Sequence, residues 1–169
     1  MNVALEIGAH ESSSEGEDLK GRYLISLKLI ERLHRLLLDV IKDEFDRMGR
    51  SDVNGVQALL LYNIGDSEVT AGELKSRGYY LGSNVSYNLK KLVEAGYIHH
   101  ERSTTDRRSV RVSLTDKGQA VSEIVNQLYD RQLKSLQKVG GIGGDELESL
   151  NKSLIRLERF WTDQIRYQL

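Results

Sequence analysis

The chain of 169 residues has no cysteine and no proline. Lacking cysteine, it can form no disulfide, no cysteine-ligated zinc site, no iron–sulfur cluster and no thiol-based peroxide switch. Lacking proline, where ordinary usage of roughly 5% would place about eight in such a length, it favours long uninterrupted helices. Apolar runs are short, and none approaches the roughly 20 residues of a membrane helix. The opening residues carry Glu6, Glu11, Glu15, Glu17 and Asp18 in place of the basic segment that begins a signal peptide. A cytoplasmic protein with no membrane partner is therefore expected. The length suits one domain, able to bury a core without metals or cross-links.

Catalytic signatures are missing as well. There is no Gly-x-Ser-x-Gly elbow, no P-loop and no metalloprotease helix. His99 and His100 are adjacent, so a strand would turn them to opposite faces and keep them from sharing a metal. The run Gly140-Gly141-Ile142-Gly143-Gly144 follows a helical pattern rather than a strand, and reads as a flexible connection, not a phosphate cradle. No enzymatic activity, metal or cofactor is expected.

Net charge is −1 at neutral pH, which taken alone points away from nucleic acid. Its distribution points the other way. Between Thr70 and Thr115 eight basic side chains face four acidic ones, leaving the remainder of the chain at −5. One basic stretch inside an acidic frame is what a localised phosphate-facing surface requires.

Met1 to Asp18 is rich in serine, glycine and glutamate, and a poorly ordered tail is expected there. A first helix then runs from about residue 19 to Met48, with Leu27, Ile30, Leu33, Leu37, Ile41, Phe45 and Met48 at three- and four-residue steps. Leu24, Leu29, Leu36 and Val40 widen its apolar surface beyond one stripe, enough for a core on one side and a second subunit on the other. Gly49 stops it. Ser51 is expected to cap a second helix that carries Val56, Leu59, Leu60 and Ile64 as far as Gly65. Thr70 and Glu73 form a capping box for a short third helix to about Arg77. Gly78-Tyr79-Tyr80-Leu81-Gly82 is a turn, after which Ser83 caps a fourth helix ending at Ala95, before Gly96.

Beyond Gly96 the period changes to two. Tyr97 to Arg102 and Val110 to Leu114 read as paired strands joined by a polar, basic loop from Ser103 to Ser109. Thr115 or Asp116 caps a long helix carrying Val121, Ile124, Val125, Leu128, Leu136 and Val139. Past the glycine-rich connection, Asp145 and Glu148 are expected to form another capping box. The last helix repeats Leu147, Leu150, Leu154, Leu157 and Trp161 at three-four spacing, a seam suited to a partner helix and extended by Ile165.

Helix, turn, helix and a two-stranded hairpin with a basic tip is the order of a winged helix-turn-helix, whose second helix enters the DNA major groove. The expected fold is mainly α with a small β-hairpin wing: a DNA-binding lobe at 51–114, a dimerisation helix at 19–48 and long helices at 115–169 completing the dimer. In the fourth helix Val85, Leu89 and Leu92 share a core-facing side. Ser83, Asn84, Ser86, Tyr87, Asn88, Lys90 and Lys91 are left mostly outward. Asparagine can bond bidentately to adenine, serine can donate or accept, and lysine neutralises phosphate. An outward polar face is ordinary on any helix; the hairpin tip adds the weight. Thr104-Thr105-Asp106-Arg107-Arg108 sets two guanidinium groups where they can reach a narrow minor groove.

Asn84, Ser86, Leu89, Leu92, Gly96, Ile98, Asp106-Arg107-Arg108, Val110, Val112, Leu114-Thr115 and Gly118 together resemble the MarR family of bacterial transcription regulators. Asp106 to Gly118 is similar to the family's wing signature, Asp-x-Arg with an alternating strand, then Leu-Thr and a glycine. The resemblance in sequence covers Thr70 to Gly118, while the flanking helices match in position, length and apolar character. It implies a homodimer made by interlocked first and last helices, involving Leu24, Leu27, Leu150, Leu154, Leu157, Trp161 and Ile165. Ser83 to Lys91 would occupy the recognition helix, and Arg108 the minor-groove position of the wing, with Asp106 holding the wing by ion pairing and Thr105 and Arg107 beside them. It also implies response to a small aromatic effector bound between the dimer helices and the DNA-binding lobe, to which Arg32, His34, Arg35 and Tyr62 can contribute. The two tyrosines of the turn, Tyr79 and Tyr80, depart from a generic member, and the missing cysteines put the chain outside the thiol-switched branch.

The expected partner is double-stranded DNA with a pseudo-palindromic site, read by two recognition helices about 34 Å apart. The expected role is a repressor relieved by a small-molecule effector. The alternative is a helical protein-interaction module that uses the winged-helix fold without binding DNA.

Overall fold

The computed structural model describes residues 4–76, 82–102 and 110–167, with side chains described from residue 16 onward except at 71, 75–76, 82–84, 102 and 110. Contacts divide the chain into two compact units, Met1–Ser122 and Glu123–Leu169, where the length suggested one.

Helix α1 spans Ala4–Arg47. It begins well before residue 19 and runs through the segment expected to lack order, because that segment has no proline and its glycines are isolated, each only a weak breaker. Among the described side chains of α1 the buried ones lie at its C-terminal end, Ile41, Glu44 and Phe45, with Glu44 ion-paired to Arg47. Leu24, Leu29, Leu33 and Leu36 stay exposed. The helix closes with Gly49 N–H donating to the Asp46 carbonyl at 3.0 Å and Arg50 N–H to the Phe45 carbonyl at 2.9 Å.

Helix α2 is Gly55–Ile64, capped by Asn54 and not by Ser51. Asn54 Oδ1 accepts from Gln57 N–H at 2.9 Å while Gln57 Oε1 accepts from Asn54 N–H at 3.1 Å. Ser51 has no glutamate or glutamine three residues on, so it lacks the reciprocal partner that a capping box needs. Ala58, Leu59, Leu60, Leu61 and Ile64 are all buried, making α2 the centre of the core. Each large aliphatic side chain there contributes about 1.5–3 kcal/mol of burial.

Strand β1 (Val69–Thr70) is an element that alternation could not signal, having only two residues. The capping box that follows forms as expected: Glu73 N–H donates to Thr70 Oγ1 at 3.0 Å and Thr70 N–H to Glu73 Oε2 at 2.6 Å. It opens α3 (Ala71–Ser76), which buries Leu74. Helix α4 is Gly82–Glu94, so Ser83 falls inside the first turn instead of capping it. The turn segment 77–81 lies outside the described residues. Gly96, with φ of 77°, adopts the left-handed conformation that glycine takes without strain. There its N–H reaches the Val93 carbonyl at 3.0 Å and Tyr97 N–H reaches the Leu92 carbonyl at 2.8 Å, the paired bonds of a Schellman stop.

Strands β2 (Ile98–Arg102) and β3 (Val110–Leu114) follow, and β3 lies between β1 and β2 in an antiparallel sheet. The register pairs Ile98 with Leu114, His100 with Val112 and Val69 with Val112. Ile98, Val112 and Leu114 are buried with Val85, Leu89 and Leu92 of α4. Helix α5 is Asp116–Val139, and Thr115 caps it: Thr115 Oγ1 accepts from Gly118 N–H at 3.1 Å and donates to the Gly96 carbonyl at 2.8 Å.

In the second unit, α6 is Gly144–Tyr167. The expected pairing of Asp145 with Glu148 is replaced by one two residues earlier. Glu146 accepts from Gly143 N–H at 2.7 Å, because that donor stands at the helix mouth, while Glu148 pairs with Lys152 at 2.5 Å. No α6 residue is buried in the single chain: Leu147, Leu157 and Trp161 are half-buried, and Leu150, Leu154 and Ile165 exposed. No helix among the described residues is long and apolar enough to cross a membrane.

Candidate nucleic-acid interface

Helix α4 is amphipathic in the way its sequence requires. Val85, Leu89 and Leu92 turn inward, while Ser86, Tyr87, Lys90 and Lys91 are exposed and Asn88 is half-buried. The side chains of Ser83 and Asn84 lie outside the described residues, as do Thr105, Asp106, Arg107 and Arg108 of the wing tip. Tyr87 is 63% exposed, with the Lys91 ammonium 6.0 Å from its ring centroid.

Charge on this face is less free than a count suggests. Lys90 and Lys91 both approach Glu94 in the last turn, at 3.9 Å and 3.4 Å. Arg111 of β3 pairs with Glu68 at 2.9 Å across the edge of β1. Glu68 falls just outside the basic stretch defined by sequence, so only the strand pairing brings it to Arg111.

Between α4 and the sheet lies a cavity of about 430 Å³ with Leu89, Val93 and Val112 in its wall and polar groups from Ser86, Lys90 and His100. None of the residues expected to bind an effector lines it. Arg32, His34 and Arg35 are exposed on α1, and Tyr62 is half-buried on α2. Of the residues expected at a dimer interface, Leu24 and Leu27 lie on α1, exposed and half-buried respectively, in the first unit, and Leu150, Leu154, Leu157, Trp161 and Ile165 lie on α6 in the second.

A group the sequence did not single out ties α4 to the rest of the lobe. Tyr97, 1% exposed, immediately precedes β2, and its hydroxyl donates to the Asp52 carboxylate in the connection between α1 and α2. Arg50 forks onto the same carboxylate at 3.2 Å and 2.9 Å, and its guanidinium sits 5.7 Å from the Phe45 ring centroid. The hydrogen bonds from Arg50 and Tyr97 hold the Asp52 carboxyl well below the usual carboxylate range. Burial, with the Asp52 charge beside it, pushes the Tyr97 hydroxyl up, and the bond to Asp52 raises Arg50. Lys117 of α5 completes the group, its ammonium 4.1 Å from the Tyr97 ring centroid and bonded to the Ala95 carbonyl at 2.9 Å. The nearby Arg50–Asp52 pair was visible in the sequence; its meeting with a residue 45 positions away was not.

A helix with a polar, cationic outer face beside a three-stranded antiparallel sheet in which β2 pairs with β3 defines a winged-helix protein. Residues 53–118 match the family described as winged helix DNA-binding domain. Over 156 residues, 90% of this chain and 78% of the relative, the sequence is 34% identical to the exopolysaccharide II synthesis transcriptional activator ExpG of Rhizobium meliloti. The fold is similar to that of a point mutant of MarR from E. coli complexed with operator DNA, with TM-score 0.62, 23% identity, and coverage of 77% of this chain and 91% of that one. It is also similar to FabT of Streptococcus pneumoniae in complex with DNA, with TM-score 0.60, 23% identity, and coverage of 84% and 98%.

The chain belongs to the MarR family and is a DNA-binding winged-helix transcriptional regulator. That membership displaces the alternative of a protein-interaction module, and the family is one of regulators, not an enzyme class.

Proposed function

We propose that the protein is a homodimer that reads a pseudo-palindromic duplex site with two copies of α4, one per half-site. The observation that carries this reading is the division of α4 into a buried Val85–Leu89–Leu92 side and an exposed side bearing Ser86, Tyr87, Lys90 and Lys91. In this reading Ser83, Asn84, Ser86, Tyr87 and Asn88, near the helix N-terminus and middle, contact base edges, and Lys90 and Lys91 contact phosphates. Thr105, Asp106, Arg107 and Arg108 form the wing contact, with Arg108 in the minor groove. The exposed leucines of α1 and of α6 support a dimer, since so many large apolar side chains in one chain call for cover. Leu24, Leu27, Leu150, Leu154, Leu157, Trp161 and Ile165 belong to that interface.

The relative matched over 90% of the chain is named an activator. That supports activation here in preference to the repression expected from the sequence. Control by a small aromatic effector finds better support in the cavity under α4 than in Arg32, His34, Arg35 and Tyr62, because its lining shares Ser86 and Lys90 with the DNA-facing helix.

Selection of bound fragments from random duplex DNA tests the reading. A two-fold symmetric site is expected, bound with an affinity that falls steeply between 50 and 200 mM salt as condensed counterions are released. Recovery of no preferred sequence, or binding indifferent to salt, would overturn it. A reporter fused to the selected site gives the sign.

A further inference from the structure

Tyr97 stands at a junction of four elements. Its N–H is taken by the Leu92 carbonyl of α4 at 2.8 Å, its carbonyl by Thr115 N–H at the head of α5 at 3.1 Å, and β2 begins at the next residue. Its ring lies under Lys117, and its hydroxyl reaches Asp52. Asp52 is held by Arg50, and Arg50 rests on Phe45 in the last turn of α1. A continuous set of contacts therefore runs from the end of α1 to the C-terminus of the DNA-facing helix and the root of the wing. Its backbone bonds and the Lys117 contact are local to α4 and α5, whereas its hydroxyl crosses to the connection that follows α1.

We propose that the hydrogen bond from Tyr97 Oη to Asp52 is a positioning contact that fixes the direction of α4 relative to α1, and so sets the half-site spacing that the dimer accepts. The inference rests on the two-half-site reading above. The physical argument is one of leverage. Half-site spacing follows from the geometry that connects the dimer to the recognition helices. The exposed apolar residues of α1, from Leu19 to Val40, belong to the same long helix whose last turn carries Phe45. A hydrogen bond to a carboxylate is among the stronger ones, and although Asp52 itself is exposed, the Tyr97 ring that donates it is held in the core, which makes the link stiff.

The test uses the full chain and the selected duplex, with half-sites at the selected spacing, with one to three base pairs inserted, and with one half-site scrambled. The wild type should prefer one spacing and bind the scrambled duplex more weakly; a wild type without that preference would sink the two-half-site reading itself. Given that preference, Tyr97→Phe, which removes one oxygen and keeps the ring, should bind the preferred duplex roughly tenfold more weakly, as loss of a charged hydrogen bond allows. It should lose less than twofold on the scrambled duplex and accept inserted spacings almost equally. Asp52→Ala should do the same, and the double variant should be no worse than either single one, as coupled partners require. Equal losses on all duplexes would show a merely structural role and overturn the inference. So would an unchanged spacing preference in either variant, or additive losses in the double one.

Discussion

Gly118 is the third residue of α5, and its place in the wing signature has a steric cause. A Cβ added there would be driven against the Tyr97 carbonyl oxygen, well inside van der Waals contact, and would lie 3.3 Å from Leu114 Cβ. The obstacle is backbone, and the Tyr97 carbonyl is itself held by Thr115 N–H at 3.1 Å, so it cannot swing aside without losing that bond. Overpacking costs about 1–3 kcal/mol, and the strained hydrogen bond adds about 0.5–1.5 kcal/mol. Replacing a helical glycine by alanine returns about 1 kcal/mol. Gly118→Ala should therefore lose roughly 1–3 kcal/mol, a substantial part of a typical domain's 5–15 kcal/mol. Gly21→Ala is the control: it lies in α1 with nothing within 4 Å of the added carbon, and only the propensity gain applies. Urea unfolding followed by circular dichroism compares the two. A Gly118→Ala protein as stable as wild type, beside a stabilised Gly21→Ala, would refute the close approach.

The wing assignment is tested by Arg108→Ala, which should weaken specific duplex binding by about 1–3 kcal/mol and leave the dimer intact; unaltered affinity in a fluorescence titration would remove Arg108 from the interface. Because Glu94 pairs with both Lys90 and Lys91, Glu94→Gln should release both for phosphate, tighten binding severalfold at low salt and steepen the salt slope by about two. A slope equal to that of wild type would mean that neither lysine faces DNA. Leu154→Asp on the exposed side of α6 should yield monomers in sedimentation, and an unaltered dimer would place the interface elsewhere. Asp52 has its folded-state pKa lowered, so the stability it contributes is present above its ordinary value near 4 and lost as pH falls toward the depressed one. Below about pH 4 the stability of Asp52→Asn should therefore fall less steeply with acid than that of wild type; equal slopes would show that the Arg50 and Tyr97 bonds do not form in solution.

Local information resolved most of the elements. The Thr70–Glu73 box, the stop at Gly96, the alternation of β3 and the buried face of α4 each depend on residues a few positions apart, where spacing translates directly into geometry. Errors arose where two local solutions competed. Asn54 displaced Ser51 because Gln57 completes its box, and Glu146 displaced Glu148 because Gly143 presents the nearer donor. Strand β1, at two residues, carries no periodic signal, and its existence depends on β3 offering a free edge.

The order of elements, the outward chemistry of α4 and membership of a DNA-binding family were all readable in one dimension, since amphipathic periods and turn residues are properties of neighbours. What only the tertiary structure decided is which charges remain available and what holds the reading helix. Glu68 reaches Arg111 across a strand pair, and Asp52 meets Tyr97 across 45 residues. Such encounters are set by the packing of whole helices around the α2 core, and no spacing along the chain encodes them.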